Sequence, residues 1–110
     1  SVGVVDARFA KPIDRNLLIE QCVDASLIVT MEDQVKAGGF GSAIQECIQD
    51  AARSTPVCRI GWPDSFVGHA SSVAELRSAH GLTTGQMLST VLEHASIRQH
   101  RQQHKAATVQ

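Results

Sequence analysis

The chain has 110 residues, a formal net charge of −1, 43% apolar residues and 19% charged ones, which is one domain at most and of ordinary globular composition. A chain of this length can bury about two-thirds of its unfolded surface. The balanced charge gives no global drive toward nucleic acid or an anionic membrane. Four aromatics and no tyrosine argue against a base-stacking surface, and no apolar run approaches the ~20 residues of a membrane span.

Val2 to Val5 is a short apolar run closing on Asp6 and predicts a first strand. Lys11-Pro12-Ile13-Asp14 reads as a loop, with Asp14 placed to cap a helix over about residues 15–24, striped by Leu17, Leu18, Ile19, Cys22 and Val23. Leu27 to Met31 is apolar but for Thr30 and predicts a strand covered on both faces. An acidic pair, Glu32 and Asp33, and a glycine-rich turn, Gly38, Gly39 and Gly41, follow it. Ile44, Cys47, Ile48, Ala51 and Ala52 then recur at the spacing of an amphipathic helix. Beyond Pro56, Val57 to Ile60 predicts a third strand, and Gly61-Trp62-Pro63-Asp64 a turn. Ser72 with Glu75, and Thr83 with Gln86, form capping boxes that start two more helices. The second is striped by Met87, Leu88, Val91, Leu92 and Ala95.

The expected order is β-α-β-α-β-α-α, which implies an α/β fold in which helical layers sandwich a mainly parallel sheet, α/β/α in three layers. After Glu93 the chain carries no acidic residue, only Arg98, Arg101, Lys105 and histidines among polar residues. Residues 98–110 therefore read as a basic polar tail, a frayed helix end or a disordered terminus, with a functional basic arm as the alternative.

A strand entering a helix through glycines is where open α/β sheets place ligands. A Walker-type phosphate loop needs a lysine and a hydroxyl after its last glycine; here Gly41 is followed directly by Ser42, and two carboxylates stand upstream. The dinucleotide fingerprint lacks its third glycine, because Ile44 holds that position. The turn thus reads as a joint that lets strand and helix pack closely, with small-ligand binding as the alternative. Asp6 and Arg8 form a candidate ion pair at the end of the first predicted strand, within reach of Glu32 or Asp33.

Cys22, Cys47 and Cys58 are widely spaced and form no CxxC pair. They predict buried, reduced thiols, two on helix faces and one in a strand. His100 and His104 can share a helix face but have no third ligand. No serine sits in a GxSxG elbow. No residue set assembles a nucleophile, a base and an oxyanion site. No catalytic, cofactor or metal residue is assigned.

Three segments carry a resemblance: Val4-Val-Asp-Ala-Arg-Phe-Ala-Lys-Pro-Ile-Asp14, the stretch Val29-Thr-Met-Glu-Asp-Gln-Val-Lys-Ala-Gly-Gly-Phe-Gly-Ser-Ala-Ile44, and Arg59-Ile-Gly-Trp-Pro-Asp-Ser-Phe66. With Glu75-Leu76 and His80-Gly-Leu-Thr-Thr-Gly85, they resemble the C-terminal, transketolase-like domain of 1-deoxy-D-xylulose 5-phosphate synthases over about residues 2–97. Transketolases and the β subunits of 2-oxo-acid dehydrogenases are similar more loosely. The resemblance implies part of a thiamine-diphosphate enzyme that condenses pyruvate with glyceraldehyde 3-phosphate at the entry to non-mevalonate isoprenoid synthesis. Thiamine diphosphate and magnesium would be held by the other domains, so this segment would be inactive alone and would pack and form the homodimer. It implies a bacterial cytoplasm or a plastid. The alternatives are the C-terminal domain of a transketolase or of a 2-oxo-acid dehydrogenase β subunit, and a stand-alone, non-catalytic α/β interaction module.

Glu32, Asp33, Gly38, Gly39, Phe40 and Gly41 become the interface candidates, and Asp6 and Arg8 the structural ion pair. The resemblance also implies a five-stranded sheet of which residues 1–97 would lack the first two strands. A truncated piece, or a relative that closes the gap by direct pairing or by exchange with a second copy, is expected.

Overall fold

The computed structural model describes residues 1–22, 24–69 and 72–109. Its elements are α1 (Arg15–Cys22), β1 (Ile28–Val35), α2 (Phe40–Asp50), β2 (Val57–Trp62), α3 (Val73–Ala79) and α4 (Thr84–Thr108). Asp14 starts α1 as its position suggests, with Oδ1 accepting from the Leu17 N–H at 3.0 Å. Val23, the last residue of the predicted stripe, lies outside the described residues.

β1 and β2 pair in parallel, with Ile28 opposite Val57, Thr30 opposite Arg59 and Met31 opposite Ile60. The register then shifts before Val35 meets Trp62. Alternation along a strand sends Ile28, Thr30 and Glu32 to one face and Val29, Met31 and Asp33 to the other. On the first face, Cys22, Ile44 and Ile48 form the core cluster, joined by Ile13, Leu18, Ile28, Phe40 and Val57. The stripe of α2 supplies Ile44, Cys47 and Ile48, all buried. On the second face Cys58 and Ile60 are buried, and α4 as well as α2 touches β2. The protein is α/β with a parallel sheet between helices. All three cysteines are free and buried. Burial pushes the Cys22 and Cys58 thiols up, and Cys47 beside Cys22 adds to the effect there, so both stay protonated and inert at neutral pH.

Three features depart from expectation. Val2 to Val5 forms no strand, and Val2 and Val4 are more than nine-tenths exposed at 92% and 93%. A strand needs a ladder partner for its backbone groups, and no third strand stands in the sheet among the described residues. β1 runs to Val35, past the apolar run, so Glu32 and Asp33 belong to the strand and not to the turn. Trp62 likewise ends β2 instead of opening a turn. Finally, α4 continues unbroken across residue 97 to Thr108. No glycine or proline follows Gly85, and Ala, Gln, Arg and Lys are all good helix formers. Lys105 in the last turn also suits the negative end of the helix dipole.

Candidate functional site

The carboxyl ends of the two strands and the N-terminus of α2 meet at the glycine turn. Gly38 adopts a φ of 69°, a left-handed conformation that side chains disfavour. Gly39 is the N-cap of α2 and has no side chain to cap it. Glu32 supplies the cap from the strand. Its Oε2 accepts from the Phe40 N–H at 2.5 Å, and its Oε1 from the Gly41 N–H at 3.1 Å. The same Oε2 accepts from Gln34 Nε2 at 2.9 Å. A carboxylate on two free N–H groups at a helix start is favoured by charge-assisted bonding and by the dipole.

Behind the cap, Arg59 reaches from β2 to donate to Ser42 Oγ at 2.8 Å and to the Lys36 carbonyl at 3.2 Å. Ser42 Oγ donates to that carbonyl at 2.9 Å. A Cβ added at Gly41 would lie 2.5 Å from Thr30 Oγ1 and 2.9 Å from Arg59 Cγ. Gly41 is therefore a packing glycine, set where helix and sheet touch. Thr30 is buried, and its Oγ1 has no hydrogen-bond partner.

Asp33 lies on the other face of β1 and does different work. Its Oδ1 accepts from Trp62 Nε1 at 2.8 Å and its Oδ2 from Arg77 of α3 at 3.3 Å. The Trp62 ring stands edge-on to His80, with centroids 5.7 Å apart. Asp33 thus ties α3 to the strand ends.

The structure brings Glu32, Gly39, Phe40 and Gly41 together, and it separates Glu32 from Asp33. The expected Asp6–Arg8 ion pair takes another form. Asp6 Oδ1 accepts from the backbone N–H of Arg8 at 3.0 Å, and Arg77 is the side chain that pairs with Asp33. With the arm unpaired, neither residue is held beside β1. Arg59, Ser42, Trp62 and Arg77 carry the local network without having been singled out. One signal was available for Arg59: it alternates with apolar Cys58 and Ile60 in a strand, which sets it on the opposite face from them.

The arrangement does not fit a diphosphate with its magnesium ion. The N–H groups of α2 that would receive a phosphate are held by a carboxylate. Among the described residues, no group of three or more His, Cys, Asp or Glu is placed to hold a metal. The chemistry of these residues is that of a structural joint.

Residues 1–87 match the family model of the transketolase C-terminal domain, and the chain belongs to that family. Within it, the chain is similar to 1-deoxy-D-xylulose-5-phosphate synthases. It is 43% identical to that of Heliobacterium modesticaldum and 40% identical to that of Thermosynechococcus vestitus, in each case over 99 residues, 90% of this chain and 15% of the enzyme. The synthase of Acidobacterium capsulatum is 44% identical over 81 residues, 74% of this chain and 13% of the enzyme. The chain thus spans about one-seventh of the curated relatives it matches. A solved structure described as a split-gene transketolase, inactive beta4 tetramer, shares the fold with a TM-score of 0.65 and 34% identity. That match covers 76% of this chain and 26% of the other.

Proposed function

We propose that the chain acts as the C-terminal domain of a thiamine-diphosphate-dependent 1-deoxy-D-xylulose-5-phosphate synthase, a transferase of isoprenoid precursor synthesis. In this reading it contributes packing and self-association and no catalytic group. Its partners are the remaining domains of the synthase and a second copy, in a bacterial cytoplasm or a plastid. Thiamine diphosphate and magnesium are held elsewhere in the enzyme. The observation that carries the packing role is the Glu32 carboxylate on the Phe40 and Gly41 N–H groups. It converts the anion site of a helix N-terminus into an internal cap. The synthase identity draws on the relatives at 40–44% identity.

A domain exchange tests this. The matching segment of the Thermosynechococcus vestitus synthase is replaced by this chain, and product formation from pyruvate and glyceraldehyde 3-phosphate is measured. The expected outcome is an active chimera. A folded chimera that binds thiamine diphosphate yet makes no product would refute the assignment. The second reading is a separate, non-catalytic subunit of a transketolase or of a 2-oxo-acid dehydrogenase. It is favoured by the split-gene transketolase, whose described assembly is an inactive beta4 tetramer. An inactive synthase chimera, together with transketolase activity when this chain is supplied to the remaining parts of a split transketolase, would select it.

A further inference from the structure

α2 ends in a turn that departs from its usual chemistry at two successive positions. The Arg53 N–H donates to the Ile48 carbonyl at 3.0 Å and the Ala52 N–H to the Gln49 carbonyl at 2.9 Å, the bond pair of a left-handed helix stop. Glycine is usual at the left-handed residue of this motif, yet Ala52 stands there with a φ of 54°, a conformation that its Cβ disfavours. The next position is often apolar and packs back on the last turn; here it is Arg53. Backbone held in a disfavoured conformation collects at ligand clamps. The chain leaving the turn forms, with α2, an open cleft of about 250 Å³. Ile48 and Val57 supply apolar lining. Gln45 and Gln49, one turn apart on α2, and Arg53, Ser54 and Thr55 beyond it supply the polar lining. No carboxylate lines the cleft among the described residues. The nearest one in sequence, Asp50, is taken by Arg15 of α1 at 3.7 Å, and the other ion pair among the described residues joins Arg77 to Asp33. Arg53 thus brings to the cleft a guanidinium without an ionic partner there.

We propose that this cleft binds a small organic carboxylate with a short apolar chain, Arg53 pairing with the carboxylate and Ile48 and Val57 receiving the chain. A guanidinium meets a carboxylate through two parallel hydrogen bonds. Hydroxyl and carboxamide donors beside it suit the remaining lone pairs. The end of α2 limits the charge of the ligand. A helix C-terminus carries a partial negative charge, which opposes a phosphate dianion more than a singly charged carboxylate. The volume limits its size. Sites for drug-sized ligands span about 300–1,000 Å³, so the smaller cleft takes a molecule of a few carbons. All of its lining lies within residues 45–57, so the cleft does not depend on the synthase assignment.

Proton–nitrogen NMR of the 110-residue chain, titrated with 3-methylbutanoate at constant ionic strength, tests the proposal. The expected result is saturable shifts at amides within 45–57, with a Kd of about 1 mM. Acetate, which lacks the apolar chain, should bind at least about tenfold more weakly. Inorganic phosphate and 3-methylbutan-1-ol should do the same, the first for its second charge and the alcohol for want of any. Arg53 is exposed and outside every helix and strand, so Arg53→Gln should keep the wild-type amide dispersion and weaken 3-methylbutanoate about tenfold. A short peptide ending in leucine, with its C-terminus free or amidated, separates the two sources of a carboxylate. Tighter binding of the free form than of 3-methylbutanoate marks a chain terminus, and weaker binding marks a free acid. The proposal is overturned by no saturable shift below roughly 50 mM, by shifts centred outside 45–57, by equal binding of the alcohol or of phosphate, or by a titration indifferent to Arg53→Gln.

Discussion

At the scale of single residues, Glu32 is the hinge of the site because it replaces a cap that glycine cannot provide. Removing it leaves two N–H groups at the start of α2 without their acceptor, so Glu32→Ala should lower stability by about 1–2 kcal/mol in urea unfolding. Glu32→Gln should lose less, since an amide oxygen still accepts. Equal losses would mean that the charge contributes nothing. Gly41→Ala is expected to cost about 1–3 kcal/mol by overpacking. Arg59 can swing away, but Thr30 is fixed in the strand beneath. Glu75 gives a pH signature. Hydrogen bonds from the Ser72 backbone and then its hydroxyl hold the carboxyl below its ordinary value of 4.5. A depressed native value means that the stabilisation is present above the ordinary value and is lost as pH falls through the lowered one. Proton titration by NMR should place the Glu75 midpoint below 4.5, and a midpoint at or above it would contradict the cap.

At the scale of elements, α4 divides into a half that touches β2 and a half that stands in solvent. Every described residue after Arg98 is exposed. Truncation after Gln99 should therefore reduce helical circular dichroism while shifting the melting temperature by no more than about 2 °C. A larger drop would show that the basic end supports the core. The helices were legible because their signals are local: both capping boxes occur where Ser72–Glu75 and Thr83–Gln86 place them. Ile44, Cys47 and Ile48 of the α2 stripe are buried as their spacing requires, while Ala51 and Ala52 fall beyond the end of the helix and Ala52 is exposed. α4 continues through the basic polar segment to Thr108 because its Ala, Gln, Arg and Lys are good helix formers, and a charged, polar composition does not by itself mark a tail. Val2–Val5 failed for a different reason. A strand exists only with a neighbour, and apolar character in one segment says nothing of whether the neighbour is present. The Glu32 cap was half legible: the acidic pair stands just before the glycine turn in the sequence, but the separation of Glu32 from Asp33 follows from β1 running four residues past its apolar run. Arg59 and Trp62 entered the network through pairing across β1 and β2, which no local pattern encodes.

At the scale of the whole molecule, the question is how chemistry is divided between this chain and the rest of a synthase-like enzyme. The chain corresponds to 13–15% of the length of its curated relatives. Diphosphate binding with a divalent metal requires free N–H groups or cationic side chains, together with oxygen ligands for the ion. Here the N-terminus of α2 is filled by Glu32, the Arg59 guanidinium donates to Ser42 and Lys36, and Arg77 donates to Asp33. These groups are thus engaged in holding helices to the sheet. The expected outcome of calorimetric titration of the 110-residue chain with thiamine diphosphate and magnesium is no saturable heat at millimolar ligand. Glu32→Gln sharpens the test, since it removes the like charge from the start of α2 at the joint. If the wild type binds with micromolar affinity, the division of labour is wrong. If only the variant binds, the carboxylate is what closes the anion site, and the joint is a converted ligand cradle.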